Sequence, residues 1–369
     1  MFYYIVFILL SVLALAEMVV TPRNVKNWTF FVVIFVFILI GGLRWRTGSD
    51  WFPYFNFYTK FASDDPIFML SMETGFTYFV GFLRLFSTQF TFYLLILSLI
   101  TISLKALFFY RFTNALFLAS LLFWGTALSD VIAVRQMLAI SLCAVSTIYI
   151  VQKKPWIFAL LVLLAAQIHV TAYVFLVSYK IYHLEWPVSS KYLILVFAVT
   201  FGLTVGSEKI LEYAINIIPD GFGMARISRK AEAYMNIGNE ITVTETLSKT
   251  QRTIAAVLKR AILLPVFFLF QNRLNSKPYN GFLNLYTFGN ALYFIVIDFL
   301  TLQRAATYFY FFEIIIFCLI FENVKSKGIW LLIIILYSLL KLVSLILSAE
   351  KLLIPYIWIF SEDTYRFHS

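Results

Sequence analysis

The sequence predicts an all-α integral membrane protein, a polytopic bundle of helices. Of its 369 residues, 62% are hydrophobic and only 13% are charged, whereas a soluble domain carries about 25% charged residues. The apolar runs have the length of membrane helices rather than that of the ~10-residue strands of a barrel. Together these observations predict about 10–12 membrane helices in a single polytopic domain that comprises residues 1–369.

Apolar runs of nearly membrane-spanning length define the predicted helices, since one span needs about 20 residues. These runs are 2–20, 28–43, 90–110, 114–129, 131–152, 191–206, 254–272, 282–301, 305–322 and 329–348. The first run lacks the basic residues that begin a signal peptide, so we expect a retained helix with its amino terminus outside.

Two stretches do not fit a single span. Residues 67–87 are interrupted by glycines and charged residues, and residues 156–182 are too long for one helix and too short for two. His169 lies in the middle of the second stretch. This position predicts a re-entrant pair of half-helices, an irregular backbone that is tolerated only where protein or a wet cavity covers it.

Lysine and arginine residues between the runs set the predicted orientation, because cytoplasmic loops are enriched in them. The groups assigned to the cytoplasm are Arg23/Lys26, Arg111, Lys153/Lys154, Lys180/Lys191, Arg273/Lys277 and Lys325/Lys327. One alternating path satisfies all of them if 67–87 enters and leaves on the outer face and 156–182 turns back at His169. If 67–87 crosses fully instead, the orientation of 90–152 inverts.

The long polar loop 207–253 lies outside on this path. Its segment 226–236 is either an amphipathic helix over the outer site or part of a mobile surface loop. The net charge of +10 reflects cytoplasmic lysine and arginine beside anionic lipid, and no soluble basic module indicates nucleic-acid binding. Cys143 and Cys318 lie deep in apolar runs and are predicted to be small core residues. The three histidines form no ligand pattern, so no metal is expected.

Polar residues that interrupt the apolar runs are the candidate site residues, because charge at membrane depth is costly and by default functional. Those that reach the outer face on the predicted path are Arg44, Arg46, Asp50, Asp130, Arg135, His169 and Arg304. Cations of lower rank are Lys259, Arg260 and Lys341. Guanidinium groups bind phosphate oxygens in bidentate fashion, so the set predicts a membrane enzyme or carrier for a polyanionic ligand.

Each candidate also has a simpler interpretation. Arg44 and Arg46 can be interfacial arginines beside an aromatic belt, and Asp50 can neutralise Arg46. Arg135 can pair with Asp130, although residues five apart are poorly aligned on a helix. Likewise, a lone histidine in an apolar helix often hydrogen-bonds to the backbone.

As functional groups, Asp50 and His169 are the two candidate bases. The neighbouring arginines would make Asp50 a weaker base, so positioning a sugar hydroxyl is an easier task for it. The imidazole of His169 can serve as a base or as a phosphate ligand. Tyr54 can stack on a sugar ring, and Gln136 can hydrogen-bond to a sugar or a polar neighbour.

The order and spacing of these motifs resemble those of the EpsG-type branch of the Wzy polysaccharide polymerases. The motifs that carry the resemblance are Arg44-x-x-x-Gly48-Ser49-Asp50-x-x-x-Tyr54, Glu73-Thr74-Gly75-Phe76, Val134-Arg135-Gln136-x-x-Ala139, Ile168-His169-Val170-Thr171-Ala172 and Arg304-x-x-x-Tyr308. They cover most of the chain in order. Thr171 stands where the family usually has serine, which keeps a hydroxyl, and the long loop is poorly matched.

The resemblance implies a GT-C-like, multi-pass protein of the bacterial cytoplasmic (inner) membrane whose active site faces the periplasm. The implied enzyme is a glycosyltransferase that joins undecaprenyl-diphosphate-linked oligosaccharide repeat units into O antigen of lipopolysaccharide, capsule or exopolysaccharide. A chain-length regulator and a flippase are candidate partners, membrane lipid surrounds the protein, and no cofactor, metal or nucleic acid is expected.

The resemblance also implies roles for the site residues. Arg135 and Arg304, helped by Arg44 or Arg46, would neutralise the diphosphate as it leaves. Asp50 or His169 would orient and deprotonate the acceptor hydroxyl. The implied substrate-binding residues are Arg44, Arg46, Tyr54, Gln136 and Tyr308, and the last shares a helix face with Arg304 at a spacing of four.

Other classes of protein remain as alternatives. A flippase or transporter of lipid-linked oligosaccharide would also need buried cations, but it predicts charges along a crossing path and internal symmetry, neither of which the sequence shows. Another lipid-linked-sugar glycosyltransferase or a ligase also fits. An O-acyltransferase would use a buried histidine alone and would not need several arginines.

Overall fold

The structure is a computed structural model that describes residues 1–19, 22–48, 50–61, 72–132, 134–205, 249–297 and 300–361. Nearly all of these residues are helical, and the strands among them form one two-stranded antiparallel sheet. This architecture confirms the predicted class, a polytopic helical membrane protein.

The described elements are given in chain order. In the first half of the chain they are α1 (Phe2–Leu15), α2 (Arg23–Gly42), β1 (Arg44–Trp45), α3 (Trp51–Thr59), α4 (Thr74–Arg84), α5 (Phe90–Phe112), α6 (Leu116–Thr126), α7 (Ser129–Ile132), α8 (Arg135–Val151) and α9 (Pro155–Ile168). In the second half they are α10 (Ser178–His183), α11 (Val188–Thr204), α12 (Lys249–Ala261), α13 (Leu263–Leu274), α14 (Lys277–Ile295), α15 (Leu300–Tyr310), α16 (Phe312–Asn323), α17 (Lys327–Ser348), α18 (Glu350–Leu353) and β2 (Ile357–Trp358). Two 3₁₀ segments, Ala16–Met18 and Val170–Val177, follow α1 and α9.

Four helical segments of the described chain are long and apolar enough to cross a membrane. They are α2, α5, the segment Leu302–Asn323 that α15 and α16 contribute, and α17. The predicted runs 90–110 and 329–348 agree with α5 and α17 to within two residues at either end. Shorter apolar helices, α6, α8, α9 and α11 among them, account for other predicted runs.

The predicted single helix 254–272 is wrong, because the structure has two helices there, α12 and α13. Pro265 explains the break, since proline has no N–H to donate to the carbonyl four residues earlier, at Ala261, and its ring clashes with that carbonyl. Residues 249–253, predicted to be part of the loop 207–253, belong to α12. The rest of that loop up to residue 248, including 226–236, lies outside the described residues.

The interruption predicted at His169 is confirmed. Helix α9 ends at Ile168, and His169 has an extended backbone (φ −148°, ψ 115°). Whether the two halves re-enter the membrane stays a prediction. The described part of the other irregular stretch, 67–87, forms α4, and residues 67–71 are outside the described chain. Cys143 and Cys318 are both buried and free, as expected of core residues.

The chain divides into two compact units. The first unit comprises Met1–Leu176 and Ile314–Ser369, and the second comprises Val177–Glu313. That both belong to a single polytopic domain stays a prediction.

Helices α2 and α5 run antiparallel through the first unit and define its two ends. At one end the Asn27 side-chain amide donates to the Tyr110 hydroxyl (3.3 Å). Toward the other end the Ser98 hydroxyl donates to the carbonyl of Ile38 (3.0 Å). A helix of 20 residues is about 30 Å long. We call the two ends, which are separated by that length, the Lys26 end and the Arg44 end.

Candidate functional site

The loop that follows α2 is held in place by the last described segment of the chain. Strand β1 (Arg44–Trp45) pairs antiparallel with β2 (Ile357–Trp358), and the Gly48 N–H donates to the carbonyl of Leu352 (2.9 Å). Gly48 has φ +95°, a conformation that favours glycine. A Cβ there would lie 2.4 Å from Cγ2 of Ile132. No sequence feature predicts that residues so distant along the chain stabilise this loop.

Arg44 is buried at this end of the first unit, with only 2% of its surface exposed. Its Nη1 donates to the carbonyls of Gly41 (2.9 Å) and Val131 (3.2 Å). Its Nε and Nη2 are buried and have no hydrogen-bond partner among the described residues. One edge of the guanidinium is therefore anchored, and the other retains donors that a buried oxyanion can use.

Burial also shifts the protonation equilibrium of Arg44, which lies just beyond the end of α2. Desolvation lowers the pKa of Arg44 to about 10, while the negative potential of Tyr356, Tyr93 and Asp50 acts in the opposite direction. The guanidinium is therefore still cationic at neutral pH.

Arg44 and Arg46 occupy different environments, although both were predicted to serve one ligand. Residues two apart in a strand share a face, but Arg46 has φ +49° and so leaves the strand geometry. Its side chain is exposed, whereas that of Arg44 is buried. Of the two, Arg44 is the one enclosed within the first unit.

Asp50 and Tyr54 come directly after this loop. Asp50 precedes α3, and its carbonyl accepts the N–H of Tyr54 (3.2 Å). Tyr54 is 8% exposed and packs edge-on against Phe76, with ring centroids 5.8 Å apart. It lies in an aromatic cluster with Trp51, whose buried indole N–H has no partner in the described part of the chain. That Tyr54 stacks on a sugar stays a prediction.

Arg135 begins α8 and forms an ion pair with Glu73. Its guanidinium lies over the ring of Phe76, 5.8 Å from the centroid, and its buried Nε has no partner within the described chain. Glu73 is 62 residues away in sequence, and its sequence context marks it only as part of a motif. The side chain of Asp130, the alternative ion-pair partner of Arg135 in the sequence, is not among the side chains that the structure describes.

His169 ends α9 and is 5% exposed. Its Nδ1 is hydrogen-bonded to the Thr171 hydroxyl (2.6 Å), so threonine at this position provides the hydroxyl for which serine is usual. The next backbone N–H, that of Val170, donates to Oε1 of Glu73 (3.3 Å). Glu73 therefore contacts both Arg135 and the turn that carries His169.

Tyr93, on α5, lies within electrostatic range of four of these groups. It is 1% exposed, and its hydroxyl has no hydrogen-bond partner among the residues that the structure describes. It lies close enough to Tyr54, Arg44, Arg135 and Asp50 to interact with each of them electrostatically. No sequence feature distinguishes Tyr93, because a tyrosine in an apolar, aromatic-rich helix has the pattern of an ordinary core residue.

A separate charged cluster marks the Lys26 end of the same unit. Glu17 forms an ion pair with Lys26, and its Oε1 accepts the N–H of Phe117 (2.8 Å). Arg44, Asp50, Arg135 and His169 lie together at the other end. That these four residues share one face with Arg304, and which side of a membrane the face meets, stay predictions.

Arg304 belongs to the second unit. Its side chain is exposed, whereas that of Tyr308, predicted on the same helix face, is 1% exposed. Arg260, given lower rank from the sequence, is more enclosed. It donates to the Asn290 side chain (2.5 Å) and to the Tyr310 hydroxyl (3.1 Å) and lies 4.3 Å from the Tyr293 ring centroid. The convergence of Arg304 with Arg135 stays a prediction.

The described residues thus define a polytopic helical membrane protein with the buried Arg44 and the largely buried Arg135 at one end of its first unit. A sequence model of the EpsG family matches residues 27–358. The chain belongs to the EpsG family. It is therefore a membrane protein of polysaccharide synthesis, of the glycosyltransferase-like polymerase class, with lipid-linked saccharide substrates in the broad sense.

The matched range begins in α2 and ends with the last residue of β2, so it contains the Arg44 loop and the strand that braces it. No curated protein and no solved structure matches the chain.

Proposed function

We propose that this protein joins polyprenyl-diphosphate-linked oligosaccharide repeat units into a surface polysaccharide at the outer face of the bacterial cytoplasmic membrane. Family membership supports the polymerase class. One observation carries the choice of a diphosphate donor: Arg44 and Arg135 both lie within electrostatic range of Tyr93 and keep buried N–H groups without an acceptor among the described residues. Buried donors are normally satisfied, and the oxygens of a diphosphate would satisfy these.

The reaction is a glycosyl transfer. The terminal sugar hydroxyl of one lipid-linked unit attacks the anomeric carbon of the glycan held on a second lipid. The new C–O bond forms as the bond from that carbon to the diphosphate breaks, and polyprenyl diphosphate leaves with the electron pair. The hydroxyl proton passes to a base on the protein. No nucleotide is consumed, because the diphosphate ester is already activated.

The arginines supply electrostatic stabilisation in this scheme. Negative charge grows on the diphosphate in the transition state, and preorganised cations in a water-poor site lower the barrier by several kcal/mol. Arg44 suits this role because its position is fixed by bonds to Gly41 and Val131 before the ligand arrives. Arg135 and Arg304 are assigned the same role, with Arg46 at the exposed edge of the loop.

Asp50 and His169 are the candidates for the base. Asp50 lies within electrostatic reach of Arg44 and Tyr93, which suits a group that holds the acceptor beside the diphosphate. His169 shares a hydrogen bond with Thr171 at Nδ1. In the tautomer that donates there, Nε2 carries the lone pair and is the basic atom.

The glycan length profile of cells tests this proposal. Cells without this chain should carry single repeat units in place of a ladder of lengths, and the wild-type gene should restore the ladder. The variants Arg135→Ala and Arg304→Ala should remain in the membrane and fail to restore it. Arg111→Ala, an exposed arginine at the end of α5, is the control and should restore it fully.

The same profile separates the proposal from its alternatives. Loss of a flippase would leave no repeat units on the cell surface, whereas loss of a polymerase leaves single ones. An intact ladder in both arginine variants would reject the diphosphate assignment. For the base, Asp50→Asn should lower the rate more than the binding of substrate, and a loss of binding alone would leave Asp50 only a positioning role.

A further inference from the structure

We infer that Glu73 is a positioning residue that holds Arg135 and the His169 turn in a fixed relation to each other. The inference rests on the proposed function, since it assigns a task to Glu73 within the same site. It concerns a residue that does not touch the reacting atoms and acts through its neighbours.

The two oxygens of Glu73 have separate partners. Oε2 forms the ion pair with Nη1 of Arg135, and Oε1 accepts the N–H of Val170 (3.3 Å). The side chains of Arg135 and Glu73 are only 14% and 13% exposed, so water competes weakly for this pair. One carboxylate therefore joins the start of α8 to the turn that follows α9.

The residues after Glu73 serve the same junction. A Cβ on Gly75 would lie 2.5 Å from Cβ and 2.8 Å from the carbonyl oxygen of Gln167. Glycine is thus what allows α4 to approach the end of α9 so closely. Phe76 is fully buried and lies beneath the Arg135 guanidinium. The motif Glu73-Thr74-Gly75-Phe76 therefore builds one support for Arg135 and the His169 turn.

The negative charge of Glu73 indicates that it fixes the geometry of the site and does not increase the affinity for the ligand. A carboxylate beside Arg135 offsets its positive charge and repels a diphosphate, so Glu73 weakens the attraction of the site for an anion. Its benefit lies in fixing the guanidinium plane and the imidazole turn at the moment of transfer. A displacement of about 1 Å at such a site lowers the rate by on the order of 10²-fold.

The test compares Glu73→Gln with a matched control, Glu17→Gln. Glu17 has the same bonding pattern at the Lys26 end, an ion pair through Oε2 and a backbone N–H at Oε1. Purified protein in proteoliposomes would elongate lipid-linked oligosaccharide isolated from cells that lack this chain. We expect Glu73→Gln to lower kcat about 10- to 100-fold with KM unchanged or lower, and Glu17→Gln to keep kcat within about twofold.

Two further variants identify the route of the effect. Glu73→Asp restores the charge at a shorter reach and should recover part of kcat. Arg135→Lys keeps a cation but loses the planar fork. If Glu73 acts through Arg135, the double variant Glu73→Gln/Arg135→Lys should lose less activity than the product of the losses in the two single variants.

Several results would overturn the inference. They are wild-type kcat in Glu73→Gln, a raised KM with kcat unchanged, or fully multiplicative losses in the double variant. If Glu73→Gln fails to fold, Glu73→Asp alone decides. A folded Glu73→Asp protein with a lowered kcat and an unchanged KM would support the inference, whereas wild-type kcat or an equal loss of folding would overturn it. If the wild-type protein fails to elongate the substrate, the proposed function itself is wrong, which is a distinguishable outcome.

Discussion

Replacing Arg44 with methionine should abolish activity and yet leave the stability of the fold nearly unchanged. Arg44 is buried, with one edge bonded to backbone carbonyls and the other edge carrying donors that have no partner in the described chain. Methionine has a similar length and no charge, and it fills irregular core space well. The change therefore removes the cation with little change in packing volume.

The magnitude follows from two opposing effects. Desolvation lowers the pKa of Arg44 from its usual value to about 10, a shift that corresponds to about 3 kcal/mol of destabilisation of the charged form. Methionine relieves this. It also leaves the carbonyls of Gly41 and Val131 without that donor, at a cost of about 1–2 kcal/mol each. The two effects nearly cancel, so we expect the free energy of unfolding to change by no more than about 2 kcal/mol.

The thermal unfolding midpoint in detergent and the glycan ladder in cells measure the two halves of this prediction. Arg84→Met is the matched control, because Arg84 also donates through Nη1 to two carbonyls, those of Tyr58 and Thr59. We expect similar midpoints for both variants and loss of the ladder only for Arg44→Met. A much lower midpoint for Arg44→Met than for the control would show that Arg44 is structural, and a retained ladder would remove it from the site.

Three further substitutions test single contacts. Gly75→Ala should lower the free energy of unfolding by about 1–3 kcal/mol, because the added Cβ would overlap Gln167. The thermal unfolding midpoint measures this loss, and an unchanged midpoint would contradict the close approach of the two residues. Thr171→Val removes the hydrogen bond to His169 Nδ1 and should lower kcat about 5- to 10-fold. Thr171→Ser keeps a hydroxyl and should retain the wild-type kcat. Equal kcat values for the two variants would exclude a role for the hydroxyl. Tyr93→Phe removes a hydroxyl that lacks a partner in the described chain, so the thermal unfolding midpoint should not fall. If that hydroxyl binds substrate, KM should rise about fivefold or more. A wild-type KM would place the hydroxyl outside the substrate site.

Hydropathy is sufficient to predict the long helices of this chain, because a membrane helix must be apolar along its length. The run 90–110 contains nothing that ends a helix early, and the observed helix is Phe90–Phe112. Helix ends inside apolar segments are harder to predict. The division of 254–272 depends on Pro265 and the backbone donor it lacks, a local effect that an averaged hydropathy value does not register.

The site was only partly predictable for a different reason. Charge inside an apolar run is a strong signal, and it identifies Arg44, Arg135 and His169. The residues that contact them are brought there by tertiary packing, which the spacing of residues along the sequence does not predict. Glu73 reaches Arg135 from another helix, and Tyr93 has no distinguishing sequence feature. Likewise, a strand of two residues such as β2 is too short to show periodicity.

The pairing of β1 with β2 has a consequence for biosynthesis. The Tyr356 hydroxyl donates to the carbonyl of Ile40 (2.7 Å) across a separation of 316 residues. Translation at about 5–20 residues per second needs roughly 15–60 s to cover such a distance. During that interval the nascent protein inserts its helices without a completed Arg44 loop. A chain whose synthesis stops before β2 is therefore expected to accumulate in the bilayer as an inactive product. We expect activity only after β2 has been translated and has paired with β1.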